Sequence, residues 1–277
     1  MGQGWPECDE DVRRWVRQIV RHLSAVLGEQ HVGTYLHGSL ASGSFHPPKS
    51  DVDMLFVSDG PLAADRREAF ARTCVALTRE RPLVGSLECS VVTAAAAARP
   101  VLDLPYEAHF GDELVDAILG GHLDYGARRT DADLVAHIRA LHEFGVCLSG
   151  PPIAAVFGAV GRADFMASVG ADLRWILEDE HLLESPFYGV LNACRALWLW
   201  NRASERWVPT KDEAGVWALG VLPAPLRPTV LDALDAYRDA APVPVGDRRT
   251  GGRRWDRAAL LAFRDHIRSL WPEWRGS

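Results

Sequence analysis

The change from strand-like to purely helical patterning near residue 112 constrains the fold of this chain more than any other feature. Before it, short alternating runs rich in β-formers predict strands, whereas after it apolar residues recur at helical spacing only. We therefore expect an α/β (α+β) head followed by an α-helical bundle domain. The boundary falls between Pro105 and Pro152, and we place it at the Gly150-Pro151 break, giving domains 1–150 and 151–277.

The individual elements follow from the same patterns. Strands are predicted over residues 32–38, 51–58 and 86–92, and helices of the head over 9–27 and 64–79. Further helices are predicted over residues 113–119, 131–147, 165–177, 190–200, 212–219, 228–237 and 255–270. Residues 241–254, rich in Pro, Gly and Arg, are predicted to form a loop.

Composition narrows the class of partner. The chain has 277 residues with a net charge of −7, so bulk nucleic acid and anionic membrane surfaces are unexpected partners. No stretch approaches the ~20 apolar residues that span a bilayer. The five cysteines are scattered without a CxxC motif, which signals neither a disulfide framework nor a zinc site. We expect a cytoplasmic, monomeric protein. Its negative net charge is compatible with a cationic small molecule as ligand.

A glycine-containing turn and two nearby aspartates carry the first chemical signal. The predicted strand ending at His37 runs into Gly38 and Ser39, and a turn of this kind can present backbone N–H groups to a phosphate. Asp51 and Asp53, two residues apart on a strand, point to the same face. Two such carboxylates repel each other unless a hard cation lies between them, and Mg²⁺ is the natural candidate.

A third carboxylate, Glu88, lies in the next predicted strand. Its neighbours Leu87 and Cys89 are apolar, so Glu88 should emerge beside the aspartates if the two strands pair. Three carboxylates and a phosphate-binding turn fit metal-assisted nucleotidyl transfer. An isolated DxD pair is also common as solvated side chains on an edge strand. Catalysis is favoured only because this pair occurs together with the glycine-containing turn and Glu88.

These motifs resemble those of a known family. GSxxxG followed by SDxD and a later strand carboxylate is the pattern of the DNA polymerase β-like nucleotidyltransferase superfamily. More narrowly, the chain looks like the streptomycin/spectinomycin (aminoglycoside) adenylyltransferases of bacterial antibiotic resistance, over roughly Gly33 to Tyr237. The motifs that carry this resemblance are YLHGSLASG, SDVDMLF, LECSVV, HFGDEL, VCLSGPP, VLNACRALW, VPTKDEAGVWAL and LDALDAY.

The resemblance implies a polymerase β-like nucleotidyltransferase head that uses ATP as co-substrate and Mg²⁺ as cofactor. AMP would be transferred to a hydroxyl of an aminoglycoside or aminocyclitol. Asp51 and Asp53 would hold the metal, and Glu88 would either complete the metal site or act as general base. Gly38, Ser39 and Ser50 would contact the nucleotide from the head.

Lys211 has an independent physical argument. Thr210 and Glu213 fit a capping box, which places Lys211 in the first turn of a helix, where the helix dipole disfavours a cation. Only Lys49 and Lys211 among the 30 basic residues are lysines, and a lysine in this position is favourable if it serves an anion. The family's triphosphate-binding lysine matches Lys211.

The family's nucleotide-contacting arginine and tyrosine match Arg195 and Tyr237. A purely structural role remains an alternative for each of these three side chains. Lys211 would then be solvated, Arg195 would form an internal salt bridge, and Tyr237 would be core packing. We expect Lys49 to be solvated on a loop, and His37 to serve packing rather than catalysis.

A polycationic acceptor would require an acidic pocket, for which Glu88, Glu113 and Glu184 are the candidates. Asp112 lies beside Glu113, and Glu184 belongs to a cluster with Glu178, Asp179 and Glu180. A solvated acidic face explains these residues equally well.

A departure from the family pattern bears on the acceptor. In streptomycin-modifying members a tryptophan stands where this chain has Glu113, and an acidic residue stands at the position that aligns with Ser185. Both features are missing here, so we expect spectinomycin to be favoured over streptomycin. The alternatives are a nucleotidyltransferase of the same fold acting on another small molecule or a protein hydroxyl, and a non-catalytic nucleotide-binding module.

Overall fold

The computed structural model describes residues 2–178, 180–201 and 208–274. It divides into two compact units, residues 2–168 and the residues from Val169 onward. The expected domain boundary at residue 150 lies within the first unit, close to the last strand of its main sheet.

The first unit contains all strands of the described residues. They are β1 (His31–His37), β2 (Val52–Ser58), β3 (Leu87–Thr93), β4 (Leu104–Tyr106), β5 (Ala108–Phe110), β6 (Arg129–Asp131) and β7 (Val146–Ser149). The main sheet has the order β5-β3-β2-β1-β7, and β4 pairs with β6 in a separate ribbon. Strands β2 and β3 are parallel, whereas the other neighbours are antiparallel.

Helices cover both faces of this sheet. They are α1 (Glu10–Leu27), α2 (Gly38–Ser42), α3 (Ala64–Thr78), α4 (Ala94–Ala97), α5 (Val115–Leu119), α6 (Asp133–Phe144) and α7 (Ile153–Val156). Alternation along β2 sends Met54 and Phe56 into the core beneath α1 and α3, and Leu55 and Val57 into the core on the opposite face. This two-sided burial explains why β2 is almost continuously apolar after Asp53.

The prediction that strands end before residue 112 is wrong. The helix predicted over residues 131–147 ends at Phe144, and Val146–Ser149 forms β7, which pairs with β1 at the edge of the main sheet. Gly145 ends the helix because its backbone leaves the helical conformation there. The following residues then gain more from ladder hydrogen bonds than from another helical turn.

The second unit is helical. Helix α8 (Arg162–Leu177) spans the division between the units, and it is followed by α9 (His181–Glu184), α10 (Pro186–Trp200), α11 (Lys211–Val221), α12 (Arg227–Arg238) and α13 (Arg257–Trp274). The almost wholly buried helix α10 packs against α11 and α12. The loop predicted over residues 241–254 contains a 3₁₀ turn at Val245–Thr250. Among the residues that the structure describes, no helix combines the length and apolar character needed to cross a bilayer.

Candidate active site

The strand register brings two of the predicted carboxylates side by side. Asp53 on β2 is the direct partner of Glu88 on the parallel strand β3, and His37 on β1 is its partner on the other side. Residues paired directly across a sheet point to the same face, so these three side chains form one row. Asp53 and Glu88 are partly exposed in this row, whereas His37 is buried.

Asp51 lies at the same end of the sheet and is held by β3. Its Oδ1 accepts hydrogen bonds from the backbone N of Ser86 at 2.5 Å and from the Ser86 hydroxyl at 2.6 Å. Ser86 directly precedes β3, just as Asp51 directly precedes β2. The two hydrogen bonds therefore fix one carboxylate oxygen of Asp51 next to the row that contains Asp53 and Glu88.

Gly38 packs closely against the carboxylate of Asp53. The φ angle of Gly38 is +66°, and a Cβ atom built on it would lie 1.9 Å from Asp53 Oδ2. A side chain at this position would therefore displace the carboxylate of Asp53. Gly38 also begins α2, so the chain turns directly from β1 into a helix, with the partly exposed Ser39 in its first turn. The turn predicted from the sequence is thus packed against the metal-binding candidate.

Glu88 lies in a mixed electrostatic environment. Burial raises the pKa of Glu88, while His137 and His109 lower it and the charges of Asp51 and Glu113 raise it, and the net direction is upward. A carboxylate with a raised pKa is a better proton acceptor than an ordinary one near neutral pH. This property fits a general base.

Two histidines near Glu88 were not identified from the sequence. The His137 ring on α6 lies 4.6 Å from the ring of His37, and burial together with His137 holds the pKa of His37 well below its ordinary value. His109 on β5 shares a 2.9 Å hydrogen bond with Ser90. Neither histidine belongs to a recognisable motif, and the strand and helix pairings alone bring them to this site. The expectation that His37 serves packing agrees with its burial.

One residue of the loop between α2 and β2 is more buried than the sequence predicts. Lys49, expected to be solvated, is only 4% exposed, so that prediction is wrong. The loop folds back on itself: the backbone N of Lys49 donates to the His46 carbonyl at 2.9 Å, and the hydroxyl of Ser50 accepts from the His46 backbone N at 3.0 Å. Ser50 is therefore a structural element of this loop, directly before Asp51.

Lys211 occupies the predicted position in the helical unit. Thr210 and Glu213 form the capping box, and Lys211 is the first residue of α11. Its Nζ lies 4.6 Å from the ring centroid of Tyr188 and 5.9 Å from that of Tyr237. Tyr188 was not identified from the sequence, because only the packing of α10 against α11 brings it to the lysine.

Arg195 and Tyr237 combine packing with proximity to these groups. The Nε of Arg195 donates to the Pro209 carbonyl at 3.0 Å, and its Nη1 donates to Asn192 at 3.1 Å. Arg195 therefore holds Pro209, the residue directly before the N-cap of α11, in place. Tyr237 is 3% exposed and belongs to the helical core, yet its ring lies near the Lys211 ammonium. Packing and ligand contact are thus compatible at both positions.

We expect Lys211→Ala to weaken ATP binding by a factor of about 10–100, the loss typical of one charge-assisted hydrogen bond. Stability should change by less than about 1 kcal/mol, because the capping residues Thr210 and Glu213 remain. Titration calorimetry with ATP and thermal unfolding measure the two effects. Lys211→Arg, which keeps the charge, is the matched control. An unchanged ATP affinity in Lys211→Ala would assign the lysine to the solvent.

The acidic candidates for acceptor binding are mostly exposed. The Glu113 side chain is 64% exposed and lies 3.9 Å from His109, while its neighbour Asp112 pairs with Arg81 at 2.6 Å. Glu184 is exposed at the end of α9. In the same cluster Glu180 pairs with Arg257 at 2.8 Å, and Asp179 lies outside the described residues. Of these residues, Glu113 is close enough to Glu88 for its charge to raise the pKa of Glu88.

The donor set at the sheet end fits a magnesium ion. Within the described residues, no three or more His, Cys, Asp or Glu side chains form a ready-made metal cluster. Magnesium in nucleotide sites is typically held by one or two carboxylates together with substrate phosphates. Asp53 in register with Glu88, and Asp51 beside them, supply oxygen donors of that kind.

Known proteins match this chain over both of its units. A family model described as "Aminoglycoside adenylyltransferase, C-terminal domain" matches residues 155–250. An aminoglycoside (3'') (9) adenylyltransferase of Shigella flexneri is 25% identical over 241 residues, which cover 83% of this chain and 86% of the relative. A Klebsiella pneumoniae protein of the same name is 25% identical over 229 residues, covering 79% and 81%.

The fold also matches a solved structure. Spectinomycin adenyltransferase AAD(9) from Enterococcus faecialis, crystallised with ATP and spectinomycin, superposes with a TM-score of 0.78 at 15% identity. The match covers 93% of this chain and 98% of that one. Together, these findings confirm the predicted family resemblance, the α/β head with a helical C-terminal part, and the nucleotidyltransferase class.

Proposed function

We propose that this chain, which is similar in sequence to aminoglycoside adenylyltransferases and in fold to a spectinomycin adenyltransferase, transfers AMP from ATP to a hydroxyl of an aminoglycoside or aminocyclitol antibiotic in a Mg²⁺-dependent reaction. The observation that carries the proposal is the pairing of Asp53 with Glu88 on neighbouring parallel strands, with Gly38 packed against Asp53. That arrangement supports the proposal because Asp53, the candidate metal ligand, lies beside Glu88, the candidate proton acceptor. Acting as a monomer in the cytoplasm, the protein would confer resistance.

The residues have distinct tasks in this reaction. The acceptor hydroxyl attacks the α-phosphorus of ATP, a new P–O bond forms, and the bond to the pyrophosphate breaks. Glu88 takes the proton of the attacking hydroxyl, for which its raised pKa suits it. Asp51 and Asp53 would hold magnesium, and the alternative role of Glu88 is to complete this metal site instead of accepting the proton. The ion would neutralise phosphate charge when bound.

Each unit contains candidate residues for nucleotide binding. Gly38 and Ser39 at the start of α2, and Ser50 in the adjoining loop, are the candidates in the head. Lys211 would bind the triphosphate, and Arg195 and Tyr237 would contact the nucleotide. Positioning and electrostatic stabilisation are the main contributions that a protein makes to transfer at phosphorus.

The acceptor would be a hydroxylated cation that contacts Glu88, Glu113 and Glu184. Spectinomycin fits these residues better than streptomycin does. An aromatic wall against a sugar ring provides apolar contact that Glu113 does not replace. Ser185, at the position that is acidic in streptomycin-modifying members, cannot form the charge-assisted bond to a guanidinium group, which is worth about 1.5–3 kcal/mol.

We therefore expect streptomycin to be modified at least about tenfold less efficiently than spectinomycin, since ~1.4 kcal/mol corresponds to a factor of ten. A susceptible bacterium expressing the protein should be protected against spectinomycin much more than against streptomycin. The control is the same strain expressing Asp53→Asn. Protection against streptomycin equal to or greater than that against spectinomycin would overturn the predicted preference, but not the reaction.

A panel of acceptors tests the reaction itself. The protein is incubated with ATP, Mg²⁺ and individual aminoglycosides, and pyrophosphate release is measured. Release that depends on one of these antibiotics supports the proposal. Release only with other small molecules or with a protein hydroxyl would assign another acceptor to the same fold. ATP binding without any release would favour a non-catalytic nucleotide-binding module.

A further inference from the structure

Three helices of the second unit meet around the ammonium group of Lys211. Tyr188 lies in the first turn of α10, Lys211 begins α11, and Tyr237 lies in the last turn of α12. The Lys211 Nζ is nearer to Tyr188, at 4.6 Å from the ring centroid, than to Tyr237, at 5.9 Å. Both distances are within the ~6 Å over which an aromatic face attracts a cation.

The two acidic residues that follow Lys211 in α11 also form hydrogen bonds. Asp212 pairs with Arg238 through two hydrogen bonds of 2.5 and 2.9 Å. The Oε2 of Glu213 accepts from both the backbone N and the hydroxyl of Thr210, each at 2.9 Å. Asp212 thus takes part in a surface ion pair, and Glu213 takes part in the helix cap.

An aromatic partner holds a cation differently from a carboxylate. The quadrupole of the ring attracts the ammonium but adds no net negative charge. The rings therefore attract the Lys211 ammonium without placing a further negative charge beside an incoming anion. The ring also limits the rotamers of a long side chain, whose ordering otherwise costs binding free energy.

We propose that Tyr188 is a positioning residue that holds the Lys211 ammonium ready to receive the triphosphate of ATP. This inference rests on the proposed function and adds a specific role for a residue that no motif identifies. Tyr188 acts through Lys211, so the aromatic ring is required and the hydroxyl is not. The partly exposed Tyr188 provides the nearer ring, and the buried Tyr237 provides a second ring that is farther from the ammonium.

Steady-state kinetics of four variants test the proposal. Tyr188→Leu should raise the KM for ATP by about 2- to 30-fold, the span of a cation–π contact, with a smaller change in kcat. Tyr188→Phe, the matched control, should behave like the wild type. In the double variant Tyr188→Leu/Lys211→Ala, loss of the ring should add nothing to the effect of Lys211→Ala alone.

Three kinetic results would overturn the proposal. The first is a KM of Tyr188→Leu equal to that of the wild type. The second is equal impairment of Tyr188→Phe and Tyr188→Leu, which would assign the role to the hydroxyl. The third is multiplication of the two single effects in the double variant, which would show that Tyr188 acts independently of Lys211.

An NMR measurement tests the contact without any catalysis. The chain contains only two lysines, Lys49 and Lys211, so ¹³C-dimethylation gives a simple lysine spectrum in which Lys211→Ala identifies the relevant signal. Ring currents should displace that signal in the wild type and in Tyr188→Phe, and Tyr188→Leu should shift it toward the position of a solvated lysine. An identical signal in wild type and Tyr188→Leu would overturn the contact. If this signal responds as expected while no adenylylation occurs, the proposed function fails and the contact stands.

Discussion

Replacing Asp53 with asparagine, or Glu88 with glutamine, should reduce adenylyl transfer by at least about 10²–10³-fold, the typical loss when one preorganised electrostatic group is removed from an active site. The two residues are direct register partners, so each change alters the charge of the row without altering its shape. The fold should remain intact in both variants. Activity is measured as pyrophosphate release, and the fold by circular dichroism and thermal unfolding.

The same substitutions should not destabilise the protein in the absence of metal. Because the folded protein raises the pKa of Glu88, ionising this group costs stability at neutral pH. Glu88→Gln removes that cost and should unfold at a higher temperature than the wild type at pH 7. The difference should shrink as the pH falls from the raised folded pKa toward the ordinary pKa of glutamate, because the wild-type carboxyl becomes protonated first in the folded state and only at lower pH in the unfolded state.

An active Asp53→Asn enzyme would remove this carboxylate from the proposed metal site. A Glu88→Gln protein that is inactive but unfolds much earlier than the wild type would indicate a structural role for Glu88 instead. Glu88→Gln with normal activity would show that another group accepts the proton of the acceptor hydroxyl.

Gly38→Ala should have the second-largest effect. The added Cβ would lie 1.9 Å from Asp53 Oδ2 and 2.7 Å from its Cγ, so the carboxylate must leave its position. The backbone at Gly38, with φ of +66°, adds strain of about 1–2 kcal/mol for a residue that carries a Cβ. We expect both lower stability and a loss of transfer activity similar to that of Asp53→Asn.

Gly43→Ala is the matched control for this prediction. Gly43 also has a positive φ, +78°, but a Cβ there would meet no atom within 4 Å. This variant should show the backbone strain alone, with a modest loss of stability and nearly normal activity. If Gly38→Ala were as active as Gly43→Ala, the close packing of Gly38 against Asp53 would have no functional importance.

Local patterns predicted the elements of this chain well where a single segment determines the structure. The apolar spacing predicted α1 to within a residue at its start, and the capping box placed Lys211 in the first turn of α11. Such features depend on residues three or four positions apart. The same is true of β2, whose alternation and flanking glycine are visible in the sequence.

Features that depend on distant segments were missed for the corresponding reason. Val146–Ser149 becomes a strand only because the edge of β1 offers it a partner. His137 reaches the site through the packing of α6 on the sheet, and Tyr188 reaches Lys211 through the packing of α10 on α11. Lys49 is buried because its loop folds back through hydrogen bonds to His46, which composition alone does not reveal.

The proximity of Asp53 and Glu88 was predicted only in part, because it depends both on each strand and on how the two strands pair. Each residue was identified from its own strand, and their proximity was conditional on strand pairing. The observed parallel register of β2 and β3 satisfies that condition. Their chemical roles, and that of Asp51, stay predictions that the variants described above test.

The most direct measurement is incubation of the protein with ATP, Mg²⁺ and spectinomycin, followed by mass spectrometry of the antibiotic and quantification of pyrophosphate. The account predicts one AMP added per spectinomycin, one pyrophosphate released for each adduct, and neither product with Asp53→Asn. ATP bound by the wild-type protein with no AMP adduct on spectinomycin or any other aminoglycoside would contradict it.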